Sequence, residues 1–170
     1  MAAKSKHFST LEDAFLLEEI APGQSISNTL NILVDSDALV ALAKTDDPNH
    51  KKALFISETL QKKGCAWYIS PFTIGEVITV ISHKVNQAAA KEILKELRKQ
   101  NLTVWTLKDE HLQLVDNWFL KQDKKGTSYF DCYNMALLER YRKDFNAIFS
   151  FDSVYKRNGF NTAEEITHEL

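Results

Sequence analysis

Residues 31–42 read NILVDSDALVAL, and this stretch decides the fold. Its apolar run, Ile32-Leu33-Val34, is typical of a strand buried on both faces of a parallel sheet. Asp35 stands where the run ends, and the residues from Ser36 onward predict the start of a helix. An acid at the carboxyl end of a central strand lies in the crevice where open α/β sheets bind ligands. The alternative is that Asp35 or Ser36 only caps the helix.

Strand and helix patterns alternate along the rest of the chain. Apolar runs at 66–69, 102–106 and 147–151 predict three further strands. Amphipathic segments predict helices at 36–44, 50–63, 70–84, from 86 onward, 109–122 and 128–142. This alternation favours an α/β fold with a mostly parallel sheet.

We expect three parts in the chain. Residues 1–30 form an N-terminal extension, in which a capping box at residues 9–12 begins a short amphipathic helix and Pro22-Gly23 ends it before a polar linker. Residues 31–162 form the domain, and residues 163–170 a C-terminal tail.

Composition indicates an ordinary globular protein of one domain, because 170 residues suffice for one full core. A net charge of −2 argues against broad coating of nucleic acid, although a basic rim around an acidic site is compatible with it. Cys65 and Cys132 lack disulfide or zinc spacing, which predicts reduced cysteines in a cytoplasmic protein. The sequence shows neither a membrane-length apolar run nor a signal-peptide pattern, so we expect no membrane association.

Four acids occupy positions that a parallel sheet brings to one edge. Asp35 and Asp152 each follow an apolar strand, and Glu76 and Asp131 lie in the first turns of predicted helices. Carboxylates held together raise each other's pKa unless a cation joins them. Hard divalent ions such as Mg²⁺ and Mn²⁺ select carboxylate oxygens, and such ions support phosphodiester hydrolysis.

Each of these acids also has a purely structural interpretation. Residues 73–76 (TIGE) and 128–131 (SYFD) both have capping-box spacing, so Glu76 and Asp131 could only secure helix ends. Asp152, which precedes Ser153, could be a turn residue. The sequence by itself leaves both interpretations open.

Four segments in order carry a family resemblance: VDSDALVAL around Asp35, SPFTIGEV around Glu76, SYFDCYNMAL around Asp131 and IFSFDSVYKRNGF around Asp152. Over about residues 31–160 the chain resembles the PIN-domain nucleases, and among them the VapC-type toxins of bacterial toxin–antitoxin pairs. The resemblance implies a three-layer α/β/α sandwich and metal-dependent endonucleolytic cleavage of RNA in the cytoplasm. It also implies a small antitoxin protein as a partner, and a homodimer.

The resemblance assigns roles residue by residue. Asp35, Glu76 and Asp131 are the implied ligands of Mg²⁺ or Mn²⁺, and Asp152 is a fourth acid that either binds the ion directly or acts through water. Three polar side chains are implied to orient these acids: Ser150, Ser36 and Asn134. Asp37 departs from the family's usual small polar residue, and either adds charge or points away.

Two other functions fit parts of the pattern. Asp35-Ser36-Asp37 has the DxD form of a HAD-type phosphohydrolase, in which Asp35 would attack phosphate, but Ala38-Leu39 stands where Gly-Thr is expected. A PIN-like domain that binds RNA or a protein without cutting is the non-enzymatic alternative.

The candidate contacts for the phosphates of an RNA are surface cations: Lys84, Lys121, Lys124, Lys125 and Arg140.

Overall fold

The computed structural model describes residues 29–100 and 102–169. The strands in this part of the chain are β1 (Asn31–Val34), β2 (Ala66–Ile69), β3 (Thr103–Val104) and β4 (Ala147–Phe149). The helices are α1 (Ser36–Ala43), α2 (His50–Lys62), α3 (Thr73–Lys84), α4 (Gln87–Lys99), α5 (Gln113–Leu120), α6 (Tyr129–Arg140), α7 (Ser153–Arg157) and α8 (Ala163–Glu169). None of these helices is long and apolar enough to cross a membrane.

The strands form one parallel sheet in the order β3-β2-β1-β4. In the centre, Leu33 of β1 pairs with Tyr68 of β2 on one side and with Ile148 of β4 on the other. The carboxyl ends of β1 and β4 are therefore neighbours. The predicted α/β fold with a parallel sheet is confirmed.

Helices cover both faces of the sheet. Ile32 and Val34 belong to a core cluster with residues of α1, α2, α3, α4 and α8, whereas Leu33 belongs to a second cluster with residues of α5, α6 and α7. Side chains of a strand alternate between its two faces, so one tripeptide contributes to both layers. All three side chains are fully buried, as their apolar run predicts.

Several boundaries differ from the sequence prediction. The strand expected at 102–106 is only Thr103–Val104, whose side chains are exposed at the edge of the sheet. The helix expected at 109–122 is divided into a 3₁₀ turn at Asp109–His111 and α5. The helix expected from Ser70 begins at Thr73, because the hydroxyls of Ser70 and Thr73 bond each other at 3.0 Å and form a turn first.

The C-terminal segment expected to be a tail forms α8 and packs on the domain. Ala163 is fully buried in the core, and α8 contacts α2, where Lys52 pairs with Glu164 at 2.6 Å. The Glu165 carboxylate accepts a hydrogen bond from the Thr162 N–H at 3.0 Å, and the Glu165 backbone N–H donates one to the Thr162 hydroxyl at 3.4 Å. This is the reciprocal bonding of a capping box, which the sequence reading overlooked. The helix predicted at the N-terminus lies outside the described residues.

Candidate active site

The acids singled out in the sequence surround the carboxyl ends of β1 and β4. Asp35 follows β1 and is the N-cap of α1, and Asp152 follows β4 and is the N-cap of α7. The capping interpretation of Asp35 is therefore confirmed, and Asp152, for which a turn was the structural alternative, also caps a helix. The positive end of a helix dipole lowers the free-energy cost of holding an acid there.

Asp35 is buried, with 4% of its surface exposed, and both of its oxygens accept hydrogen bonds. Its Oδ1 accepts from the Ser36 N–H at 2.8 Å and from Asn134 Nδ2 at 3.1 Å. Its Oδ2 accepts from the Tyr155 hydroxyl at 2.8 Å and from the Ser150 hydroxyl at 3.2 Å. Four donors thus hold one carboxylate in place.

The predicted capping box around Asp131 is present. Asp131 Oδ2 accepts from the Ser128 N–H at 2.6 Å, and the Asp131 N–H donates to the Ser128 hydroxyl at 3.0 Å. The other oxygen, Oδ1, is turned toward the Tyr155 hydroxyl at 3.4 Å. Asp131 therefore both caps α6 and belongs to the acid cluster.

The capping interpretation of Glu76 is wrong. The N-cap of α3 is Phe72, which makes no side-chain cap, and Thr73 already lies inside the helix. The Glu76 carboxylate is half-buried, and its pKa is raised to about 7, first by burial and then by the charges of Asp131 and Asp37. Glu76 therefore faces the other acids across the cleft.

Asp37 is a fifth acid of this cluster, and it was not among the candidate site residues. Its Oδ2 accepts from the Phe151 N–H at 2.8 Å, while its Oδ1 is buried without a hydrogen-bond partner in the described residues. Burial raises the pKa of Asp37, and the charge of Asp152 raises it further. The sequence signal for this placement was that Asp37 lies two residues after Asp35, in the first turn of the predicted helix.

The three polar candidates differ in what they contribute. Ser150 donates to Asp35 and accepts from the Asp152 N–H at 3.1 Å, so its hydroxyl lies between two acids. Asn134 is fully buried and donates to Asp35 and to the Tyr155 hydroxyl, and its Oδ1 is a second buried oxygen without a partner in the described residues. Ser36 contacts Asp35 through its backbone N–H, which donates to Asp35 Oδ1. Among the described residues, the Ser36 hydroxyl makes no hydrogen bond to Asp35.

Tyr155 is a second residue at the acid cluster that the sequence analysis did not predict. Its side chain is fully buried, and its hydroxyl contacts both Asp35 and Asp131 while accepting from Asn134 Nδ2 at 3.1 Å. A tyrosine three residues after Asp152 carries no local signal of this role. Only the packing of α7 against α6 brings it to the acids.

The acid cluster, defined as Asp35, Asp37, Glu76, Asp131 and Asp152, concentrates negative charge. Burial raises the pKa of Asp35, and the charges of Asp37 and Asp131 raise it further. Burial likewise raises the pKa of Asp131, to which Asp152 adds. Within the described residues, no lysine or arginine is a cause of these shifts. A cation at this place would therefore relieve the repulsion.

The donor chemistry of the cluster fits a hard divalent ion, since every available group is an oxygen. As the side chains stand, no three His, Cys, Asp or Glu residues in the described chain are arranged to hold an ion. Several carboxylate oxygens instead accept hydrogen bonds from the protein. A carboxylate oxygen has a second lone pair, and the Oδ1 atoms of Asp37 and Asn134 have no hydrogen-bond partner among the described residues, so the chemistry of the donor set fits such an ion.

Comparisons with known proteins agree with this architecture. The PIN domain family model matches residues 32–161. Among solved structures, VapC20 of Mycobacterium tuberculosis, described as a toxin that cleaves the sarcin-ricin loop, superposes with a TM-score of 0.61 at 18% identity. The match covers 76% of this chain and 95% of VapC20 and shows a shared fold. A search of curated proteins found no match. The family model spans most of the chain, which therefore belongs to the PIN domain family.

Proposed function

We propose that this protein is a metal-dependent endoribonuclease that hydrolyses phosphodiester bonds at the acid cluster. The observation that carries the proposal is the convergence of five carboxylates, from β1, α1, α3, α6 and the end of β4, without a compensating cation in the described chain. Such an arrangement raises the free energy of the metal-free protein, and a binding role does not require it. Membership of the PIN domain family supports the same conclusion.

In this proposal Asp35, Glu76, Asp131 and Asp152 hold Mg²⁺ or Mn²⁺, with Asp37 beside them. When bound, the ion would activate water and stabilise the leaving 3′ oxygen of the RNA. Ser150, Asn134 and Tyr155 hold Asp35 in one orientation through their hydrogen bonds. Such partners of ligating carboxylates set ligand geometry.

The phosphohydrolase alternative has less support. Its nucleophile would be Asp35, but Ala38-Leu39 stands where Gly-Thr is expected, and the family model that matches the chain is that of the PIN domain. Asp37, the second acid of the DxD pattern, is engaged with the Phe151 N–H. We therefore do not propose a phosphatase activity.

A cleavage assay tests the proposal. The purified protein is incubated with structured and unstructured RNAs in Mg²⁺ or Mn²⁺, with and without EDTA, and the sarcin-ricin loop belongs in the panel because VapC20 is described as cleaving it. Products should carry 5′-phosphate and 3′-hydroxyl ends, since water attacks and the 3′ oxygen leaves. Cleavage that persists in EDTA, or that yields cyclic phosphates, contradicts the proposal.

Variants of three acids separate catalysis from folding. Asp35→Asn should abolish cleavage but removes a buried acceptor. Glu76→Gln removes the charge of a carboxylate that accepts no hydrogen bond from the described residues. Asp152→Asn leaves at the start of α7 a residue that caps helices equally well. Both should cost at least about 100-fold in rate while folding normally. The control is Glu58→Gln, an exposed acid on α2, which should cleave like the parent.

We also propose that the protein is the cytoplasmic toxin of a toxin–antitoxin pair. A small antitoxin would neutralise it by placing a basic side chain among the acids, where no such group stands in the described residues. Coexpression of the product of an adjacent small reading frame should suppress toxicity and protect RNA in vitro. Sedimentation of the purified chain tests the homodimer that the family resemblance implies.

A further inference from the structure

Four exposed aromatic side chains lie at the N-termini of α3 and α6 and at the end of α5, and are here called the aromatic strip: Phe72, Phe119, Tyr129 and Phe130. Phe72 and Phe130 are each 39% exposed, and their ring centroids are 5.1 Å apart. The rings of Phe119 and Tyr129, 45% and 47% exposed, are 5.7 Å apart. Aromatic rings that remain this accessible offer flat faces to a partner.

The first ring pair is tied to two of the acids. Phe72 is the N-cap of α3, and its carbonyl accepts from the Glu76 N–H at 3.0 Å. Phe130 directly precedes Asp131 in the first turn of α6. Since the Phe72 ring also lies 4.9 Å from the ring of Tyr133 on α6, the starts of α3 and α6 are in direct contact. The Phe72–Phe130 pair therefore borders the place where the scissile phosphate would lie.

Cations accompany the second ring pair. The loop from α5 to α6 joins Phe119 to Tyr129 and contains three exposed lysines, Lys121, Lys124 and Lys125, against one aspartate. Lys121 Nζ lies 4.9 Å from the centroid of the Trp118 ring. The net positive charge of this loop complements the phosphates of a nucleic acid strand that enters the acidic cleft.

We propose that the aromatic strip stacks unpaired bases of the RNA substrate beside the scissile phosphate, while the loop lysines contact its backbone. This inference rests on the proposed ribonuclease function and adds the surface that would hold the unpaired bases. Stacking on exposed rings next to a basic groove is how proteins hold unpaired bases. Lysine is depleted from protein–protein interfaces, so the adjacent lysines favour RNA over a protein as the occupant.

A binding experiment isolates the strip from the chemistry. The probe is a 12-nucleotide single-stranded RNA that carries 2-aminopurine, titrated with Glu76→Gln protein in EDTA, where metal-dependent cleavage is absent. Phe72→Ala and Phe130→Ala should each weaken binding about tenfold and remove the quenching of 2-aminopurine that stacking causes. Phe130→Trp should retain both, whereas Phe130→Leu should lose the quenching.

A matched control is available on α2, which carries none of the acids of the cluster. Phe55 of α2 is 58% exposed, so Phe55→Ala removes an exposed ring outside the aromatic strip and should leave binding and quenching unchanged. With Mn²⁺ and an otherwise unaltered chain, the strip variants should raise the KM for single-stranded RNA about tenfold and leave kcat within twofold. A fully paired duplex probe should bind parent and variants alike.

The outcomes separate the two proposals. If the parent cleaves RNA but the strip variants match it in KM and quenching, the strip inference is wrong and the ribonuclease stands. If the parent binds the probe through the strip but cuts no RNA, the ribonuclease is wrong and the stacking surface stands. If RNA binding is unchanged while Phe72→Ala or Phe130→Ala shifts sedimentation, the strip is a protein interface and the inference is overturned.

Discussion

The Tyr155 hydroxyl donates a hydrogen bond to Asp35 Oδ2 at 2.8 Å, although the two residues are 120 positions apart in the chain. The same hydroxyl lies 3.4 Å from Asp131 Oδ1. One buried phenol thus spaces two acids that would otherwise repel each other directly. This relationship makes Tyr155 a positioning residue of the proposed metal site.

Replacing Tyr155 with Phe tests this role directly. Tyr155→Phe keeps the ring packing and removes only the hydroxyl, so Asp35 and Asp131 lose their common donor. We expect Mn²⁺ affinity, measured by electron paramagnetic resonance of free Mn²⁺, to fall about tenfold. Tyr141→Phe serves as the control, because the Tyr141 hydroxyl makes a long contact of 3.5 Å with the Thr106 carbonyl, outside the acid cluster. This variant should leave the Mn²⁺ affinity unchanged. Equal affinities in all three proteins would exclude the role.

Glu76 should make the metal-free protein less stable as pH rises. Its pKa is about 7 in the fold against 4.5 for a free side chain, so its proton is held more tightly in the folded state. The free energy of unfolding therefore falls as pH rises from about 4.5 to about 7. Glu76→Gln cannot ionise and escapes this loss.

At pH 8 in EDTA, Glu76→Gln should unfold about 2–4 °C above the parent, which corresponds to about 1 kcal/mol for a half-exposed group. Differential scanning fluorimetry at pH 4.5 should show no difference. Saturating Mn²⁺ should raise the Tm of the parent more than that of the variant. A variant that melts below the parent at pH 8 would contradict the repulsion between the acids.

Ser128 should matter for the stability of α6. Ser128→Ala removes the hydroxyl that accepts the Asp131 N–H, so we expect the free energy of unfolding to fall by about 1 kcal/mol. Ser128→Thr retains the hydroxyl and should recover most of the loss. Urea unfolding followed by circular dichroism measures both, and equal midpoints for Ala and Thr would show that the box contributes nothing.

Asp37 has a structural and an electrostatic role that two variants separate. Asp37→Asn keeps an oxygen for the Phe151 N–H but removes the charge, whereas Asp37→Ala also leaves that N–H without its acceptor. Both should weaken Mn²⁺ binding, measured by calorimetry. Only Asp37→Ala should lower the free energy of unfolding, by about 1–3 kcal/mol. Asp109→Asn, outside the acid cluster, is the control and should change neither.

Local patterns predicted much of this molecule. The run Ile32-Leu33-Val34 predicted a strand with both faces buried, and the positions of Asp35 and Asp152 after apolar strands predicted acids at one edge of the sheet. Both rest on the two-residue period of a strand and on the shared direction of parallel strands, which neighbouring residues are sufficient to show. The capping box of Ser128 and Asp131 was likewise readable from four consecutive residues.

The sequence pattern alone could not show whether an acid caps a helix or belongs to the acid cluster. Thr73 and Glu76 have the spacing of a capping box, yet α3 begins at Thr73 with Phe72 as its N-cap, one residue too early for Thr73 to cap it. The outcome depends on the residue at which the helix begins, which the spacing of two residues does not encode.

By itself, the sequence determined the α/β class, the strand-end acids and the resemblance to PIN domains, because each of these depends on short-range periodicity or on ordered motifs. Only the tertiary structure decided that Asp37 joins the cluster and that Tyr155 bonds Asp35. Those contacts join the start of α1 to segments more than 110 residues away. The direction of such a side chain is set by how the helix layers pack on the sheet, and that packing leaves no periodic trace in the neighbouring residues.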